Sequence, residues 1–252
     1  MPDLTPKEGS KICYLCGKEG ADSRDHVPAK ALLPPGGNEY QRITVPAHQS
    51  CNARESFDEE YVRDLIVPEA IYLGMHDAEV PYERVWKGWS RTAGWRRYQQ
   101  FLRNARRLEV QSTSGVFVGH AMEVAPDIDR ICRVGRKIVR GVLFNDTETV
   151  VADSDVIVVL LRTEDVPKIR QQDSDQPYWQ ALSRPSAIHT TCANGVALRR
   201  IYFANATDNG VSVDGMFAIE IWGCYIVGTV TFLMETSGRK DFPRVTETAK
   251  DD

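Results

Sequence analysis

The chain lacks most of the features that assign a protein to a class at a glance. It has no excess of positive charge. Its 31 Lys and Arg stand against 35 Asp and Glu, a formal net charge of −4 with a pI of about 5.8. A generally basic nucleic-acid binder is thereby excluded, and any basic surface has to be local. It has no uninterrupted apolar run of membrane length, roughly 20 residues. The one stretch worth testing, MFAIEIWGCYIVGTVTFLM at 216–234, contains Glu220 and two glycines and is rich in β-branched and aromatic residues. It reads as two buried strands that pair as a hairpin. The opening MPDLTPKEGSKICY is polar and charged and carries no secretory leader, and no repeat or low-complexity tract interrupts the chain. The expectation is a cytoplasmic protein with no membrane partner. No feature of the sequence specifies an oligomeric state.

Cysteine is scarce as well, with six in 252 residues. Two of them form C-x2-C (Cys13, Cys16), and His48-x2-Cys51 repeats that spacing about thirty residues later. This is metal spacing rather than a disulfide framework. Three thiolates and one imidazole suit tetrahedral Zn²⁺, and a closed four-ligand set is structural because it leaves no position for substrate. The segment around the ligands is rich in Gly and Pro and short of core, so a metal substitutes for burial. A similar pair, His189-x2-Cys192, has no matching partner. Cys132 and Cys224 sit in apolar patterns and read as ordinary core thiols.

Between the ligand pairs lies Asp25-His26-Val27-Pro28, and Asn52 follows the last ligand. The run C-x2-C … DHVP … VPAHQSCN resembles the HNH, or ββα-metal, endonucleases over roughly residues 11–65, with His48 in the place of that family's third cysteine. The resemblance implies a small zinc-bound, treble-clef-like ββα-metal finger that hydrolyses phosphodiester bonds of DNA, double-stranded DNA above all. His26 would activate water, while Asp25 and Asn52 would hold one Mg²⁺ or Mn²⁺, a hard cation that neutralises charge on phosphate. An imidazole with an ordinary pKa of about 6.5 can accept a proton near neutrality. The sequence departs from the pattern at one point. The family's middle Asn, which tethers the loop that orients the base, should fall near Ile43 and is absent, and Asn38 lies too early. A backbone carbonyl, Thr44 or Arg42 would have to substitute.

Helical spacing from Asn52 puts Ser56 and Glu59 on the same face, where they would approach the metal if one helix runs that far. The plainer reading, which we prefer, is that DEEY opens a following helix, where acids suit the positive end. Lys30, Arg42 and Arg54 are candidate phosphate contacts. Residues 82–107 hold eight Lys or Arg, one acid and six aromatics. That mixture fits either a base-stacking surface or a core wall. A helix over 126–141, with Pro126 near its start and Gly141 just past its end, carries Arg130, Arg133, Lys137 and Arg140 as one basic stripe with Arg136 at its border. The stripe fits phosphate contacts or a face paired with local acids.

The expected class is α+β. A zinc finger over 11–62 precedes a larger α+β body with an antiparallel sheet over 63–236, and 237–252 reads as a disordered tail. A helix opens near Gln49, and Pro68 is expected to end or kink it. Two rivals to the DNA nuclease remain: a non-catalytic zinc-finger module that binds nucleic acid or protein, and a nuclease directed at RNA.

Overall fold

The computed structural model describes residues 12–34, 42–161, 182, 184–193, 195–207, 210–222, 224–234 and 245–247. The N-terminal part is a ββα unit. Strands β1 (Ser23–Val27) and β2 (Ile43–Ala47) pair antiparallel, with Asp25 opposite Val45 and His26 opposite Thr44. Alternation along β1 sends Asp25 and Val27 inward and leaves His26 half-buried on the other face. Helix α1 (Gln49–Tyr72) follows directly. It begins at Gln49, with its first N–H bonded at 2.7 Å to the Asp22 carboxylate, which caps the helix from outside it. Pro68 does not end it: α1 runs four residues further, to Tyr72, and therefore also crosses residue 62.

Helices α2 (Glu79–Trp89) and α3 (Thr92–Arg103) pack beside α1 and lead into a hairpin of β3 (Ala105–Gln111) and β4 (Phe117–Val124). The aromatics of 82–107 largely stack on one another: Trp89 on Tyr98 and Phe101, and Phe101 on Tyr61 of α1. The Trp89 indole N–H also bonds Asp64 at 3.0 Å. Trp86 and Trp95 remain half exposed.

Helix α4 (Ile128–Thr147) is the centre of the molecule. Its one side meets α1, β1 and β2, and its other side meets β5 (Val156–Leu161) and β9 (Cys224–Met234) of the large sheet. With β6 (Ile188–Ala193), β7 (Val196–Thr207), β8 (Gly210–Ile221) and β10 (Val245–Glu247), that sheet has the order β10-β7-β8-β9-β5, and β6 also pairs with β7. The run 216–234 forms most of the β8 (Gly210–Ile221) and β9 hairpin, as its composition implies. Within 237–252, Val245–Glu247 form β10, parallel to β7; the remainder of that stretch lies outside the described residues.

One apolar core spans the finger and the body. Tyr14, Val27 and Val45 from the ββα unit, Val134, Ile138 and Val142 from α4, and Ile226 and Val230 from the sheet belong to one buried cluster. Two long-range hydrogen bonds reinforce it. The Trp222 indole N–H donates to the Leu32 carbonyl at 3.0 Å, and Arg140 donates to the Leu15 carbonyl at 2.5 Å. On the far side of α4, Arg200 and Tyr202 of β7 bind the Asp146 carboxylate at 2.5 and 2.8 Å.

Gly141 lies inside α4, not past its end; the helix continues six residues further and closes at Glu148 with φ 54. The glycine is there for contact. A Cβ at this position would lie 2.5 Å from Val27 Cγ2 and 3.3 Å from the Tyr14 ring. Its absence lets α4 lie against β1. Gly141→Val is expected to destabilise the protein by about 2–3 kcal/mol through overpacking against a stiff β-branched neighbour. The measurement is the urea midpoint at unchanged m-value, and an unchanged midpoint would contradict so close an approach.

Candidate metal centre

The turn after Ile12 is built for two thiolates. Gly17 N–H bonds the Cys13 carbonyl at 2.8 Å, Cys13 N–H bonds the Lys18 carbonyl at 2.9 Å, and Gly17 takes φ 72, a conformation open to glycine. The other two ligands come from the junction of β2 and α1. His48 is the helix N-cap but makes no side-chain cap bond, because its ring is committed elsewhere. The four donor atoms of Cys13, Cys16, His48 and Cys51 lie within 4.8 Å of one another. The edge of a zinc tetrahedron is about 3.5–4 Å. His48 Nδ1 stands 3.3 Å from Cys16 Sγ and 3.9 Å from Cys51 Sγ, while Nε2 faces the Glu19 carbonyl at 3.1 Å. That carbonyl holds the proton on Nε2 and leaves Nδ1 free as a ligand.

The donor set fits zinc chemically as well. Burial and then the neighbouring cysteines push the Cys51 thiol up to about 11, whereas a hydrogen bond from the Lys18 backbone lowers exposed Cys16. Three crowded sulfurs cannot all ionise beside one another without a cation, and a divalent ion reverses that order. The cluster is a Cys3His site suited to a structural Zn²⁺.

Next to Cys51, the chain turns a second set of donors the other way. Asn52 in the first turn of α1, Asp25 on β1 and Glu59 two turns further along α1 converge on one point. A cation stands at that point, the ammonium of Lys137 from α4. Lys137 Nζ lies 2.9 Å from Asn52 Oδ1 and 2.9 Å from Asp25 Oδ2, and it also donates to Glu59 Oε1. An ammonium has three protons and no acceptor, so three oxygens, one from β1 and two from α1, satisfy it completely. The Asp25 carboxylate additionally accepts the Tyr14 hydroxyl at 2.6 Å. Asp25, Glu59 and Lys137 are all buried. Two carboxylates around one ammonium leave a net negative charge in a dry place. Burial, opposed by Lys137 and assisted by Asp25, accordingly raises the Glu59 carboxyl to about 7.

His26 sits on the opposite face of β1. Burial, then the charges of Lys30, Arg42 and Arg24, hold its pKa below the usual value against the pull of Asp25. It is neutral at physiological pH. Among the described residues no hydrogen bond orients its ring. Thr44, its cross-strand neighbour, is engaged instead by Arg24, whose guanidinium donates to the Thr44 hydroxyl at 2.6 Å and to its carbonyl at 3.1 Å. Thr44 therefore does not replace the missing tether.

The remaining sequence candidates separate into two groups. Lys30, Arg42 and Arg54 are exposed. The stripe on α4 faces inward along α1. Arg130 and Arg133 both bind Asp58 at 2.6 Å, and Arg130 also covers the Tyr61 ring at 4.2 Å. Burial would raise Asp58, but the hydrogen bonds from Arg133 and Arg130 outweigh it and hold the carboxyl below the usual range. Arg140 is buried and clamps the carbonyls of Leu15 and Val151, and Arg136 pairs with Asp153. Ser56 bonds back to the Ala53 carbonyl at 2.7 Å, away from the cradle. Glu59 joins the cradle because α1 is one continuous helix, against the plainer reading of DEEY as a new start. The role of Tyr14 has one sequence signal only, its place between two ligands. The partnership of Lys137 with the finger has none, since it joins residues 85 positions apart.

Comparison of the chain with protein-family models, with curated proteins and with solved structures found no match.

About one tightly held zinc per chain is expected by elemental analysis. Cys51→Ser should lose it and open the junction of β2 and α1, read as rapid amide exchange in β1 and β2. A Cys51→Ser variant that exchanges as slowly as wild type without zinc would contradict the assignment.

Proposed function

We propose that this chain is a zinc-stapled, ββα-metal-like module that binds duplex nucleic acid without cutting it, with Lys137 held where a hydrolytic finger would hold its cation. The observation that carries this reading is the three-oxygen cradle around the Lys137 ammonium. Phosphodiester hydrolysis by a single hard cation needs open positions for a phosphate oxygen and for water. An ammonium whose three protons are all bonded within the protein offers neither. The unheld ring of His26 supports the same reading, because a general base works from a fixed geometry.

The binding surface is the outer face of β1 and β2. Arg24, Lys30 and Arg42 are exposed there and close enough to His26 to depress its pKa. Such a cluster suits the phosphate backbone, whose neutralisation releases counterions and makes binding salt-dependent. Double-stranded DNA fits this contact, since it asks for no base readout. Arg84, Arg91, Arg96 and Arg103, with half-exposed Trp86 and Trp95, are exposed as well, on α2, α3 and the turn between them.

Two observations favour the hydrolytic reading. Asp25 and Asn52 do converge, and His26 is neutral at pH 7. In that reading Lys137 leaves the cradle, Asp25 and Asn52 hold Mg²⁺ or Mn²⁺, and His26 takes the proton of water, with DNA or RNA as substrate. Supercoiled plasmid and structured RNA separate the two. We expect wild type and His26→Ala to leave both intact with either metal, while wild type retards duplex DNA at low salt. Lys30→Ala should weaken that binding uniformly across sequences and reduce the salt slope by about one. Cleavage by wild type but not by His26→Ala would establish the nuclease instead, and absence of duplex binding at low salt would remove the binding reading.

A further inference from the structure

The hairpin of β3 and β4 pairs with no other strand among the described residues. A two-stranded hairpin is marginal in water by itself, and bare strand edges accept further strands. This one also exposes apolar side chains: Leu108 is 38% exposed, Phe117 53%, Val118 67% and Met122 53%. Its charges are arranged unevenly. Arg106 pairs with Glu123 across the hairpin, whereas Arg107 and Glu109, on either side of Leu108, make no ion pair among the described residues. Across the hairpin they face Met122 and His120.

The geometry points to β3 as the edge through which two copies of this chain associate, strand against antiparallel strand, into a four-stranded sheet of order β4-β3-β3-β4. The occupant follows from symmetry and charge. A twofold axis perpendicular to an antiparallel pair sets one residue opposite its own copy and matches residues equally far on either side. With Leu108 on the axis, Arg107 of one copy stands opposite Glu109 of the other, and the reverse pair forms at the same time. Both pairs fall on one face, and the two Leu108 side chains meet on the other. No other register on β3 pairs its acid with an arginine. Arg106 and Glu109 are an odd number of positions apart and cannot face each other across such an axis. β4 contains Glu123 but neither Lys nor Arg, so it has no corresponding solution.

Sedimentation velocity of the full chain, without nucleic acid, tests the proposal over the micromolar range. Wild type should dimerise. Arg107→Glu and Glu109→Arg each place like charges opposite one another twice, and each should weaken the dimer about tenfold or more. The double variant Arg107→Glu/Glu109→Arg restores both pairs with the signs exchanged and should dimerise as wild type does. An equal mixture of the two single variants should form the mixed dimer. Both altered positions are exposed, so circular dichroism should be unchanged throughout. A wild type that remains monomeric, single variants that dimerise like wild type, or a double variant that remains as weak as the singles would each overturn the proposal. None of these outcomes depends on whether the chain binds DNA.

Discussion

The buried ammonium of Lys137 is the contact on which the arrangement of the molecule depends. It gathers a strand of the finger, the first turn of α1 and the third turn of the same helix, and it reaches them from the helix that also carries the large sheet. Burying such a group gains little net stability, because desolvation offsets most of the Coulomb attraction. It does make any other docking of α4 costly, since each alternative strands two carboxylates or an ammonium in the core. The neighbouring contacts obey the same geometry. Gly141 permits the approach, Arg140 holds the zinc turn by its Leu15 carbonyl, and Asp58 takes two arginines one step further along α1.

Zinc and lysine act on adjacent residues. Cys51 belongs to the first set of donors and Asn52 to the second, so a metal held by the first set would fix the start of α1 and with it the aim of the Asn52 amide at Lys137. The Cys3His site thus shapes the cradle without taking part in it. The polar inner face of the ββα unit is consumed by the protein's own cation, while Arg24, Lys30 and Arg42 are exposed. A centre closed to a second cation accords with the proposed binding module rather than with a hydrolase.

The parts of this organisation that are legible in the sequence are those written in short spacings. Two pairs at x2 spacing identify the Cys3His cluster because a tight turn and a helix start leave those side chains few other directions. The composition of 216–234 identifies the buried hairpin for a similar reason: β-branched and aromatic residues fit a pleated surface. The basic stripe on α4 is visible as a stripe, but its partners are not. Whether four cations at helical spacing meet phosphate or carboxylate depends on what packs against them, and Asp58, Glu59 and Asn52 are 72–85 positions away. Gly141 reads as a helix end by its usual preference, yet it marks a close contact of α4 with Val27 of β1 that only the tertiary structure reveals. Pro68 likewise sits within α1 because packing on both sides outweighs the lost hydrogen bond.

The claim that Lys137 serves as the cradle's fixed cation is tested most directly by the stability of Lys137→Met relative to wild type from about pH 5 to about pH 8. Removing the ammonium leaves Asp25 and Glu59 buried side by side, and the loss at the alkaline end should reach about 3–5 kcal/mol. Glu59 has a folded pKa of about 7, above its ordinary 4.5, so its ionised form already costs stability as pH rises through that window. Without Lys137 the penalty for ionising it grows, and the difference between the two proteins should widen with pH and shrink as Glu59 takes up a proton. A small, pH-independent difference of about 0.5 kcal/mol, typical of a surface substitution, would contradict the account.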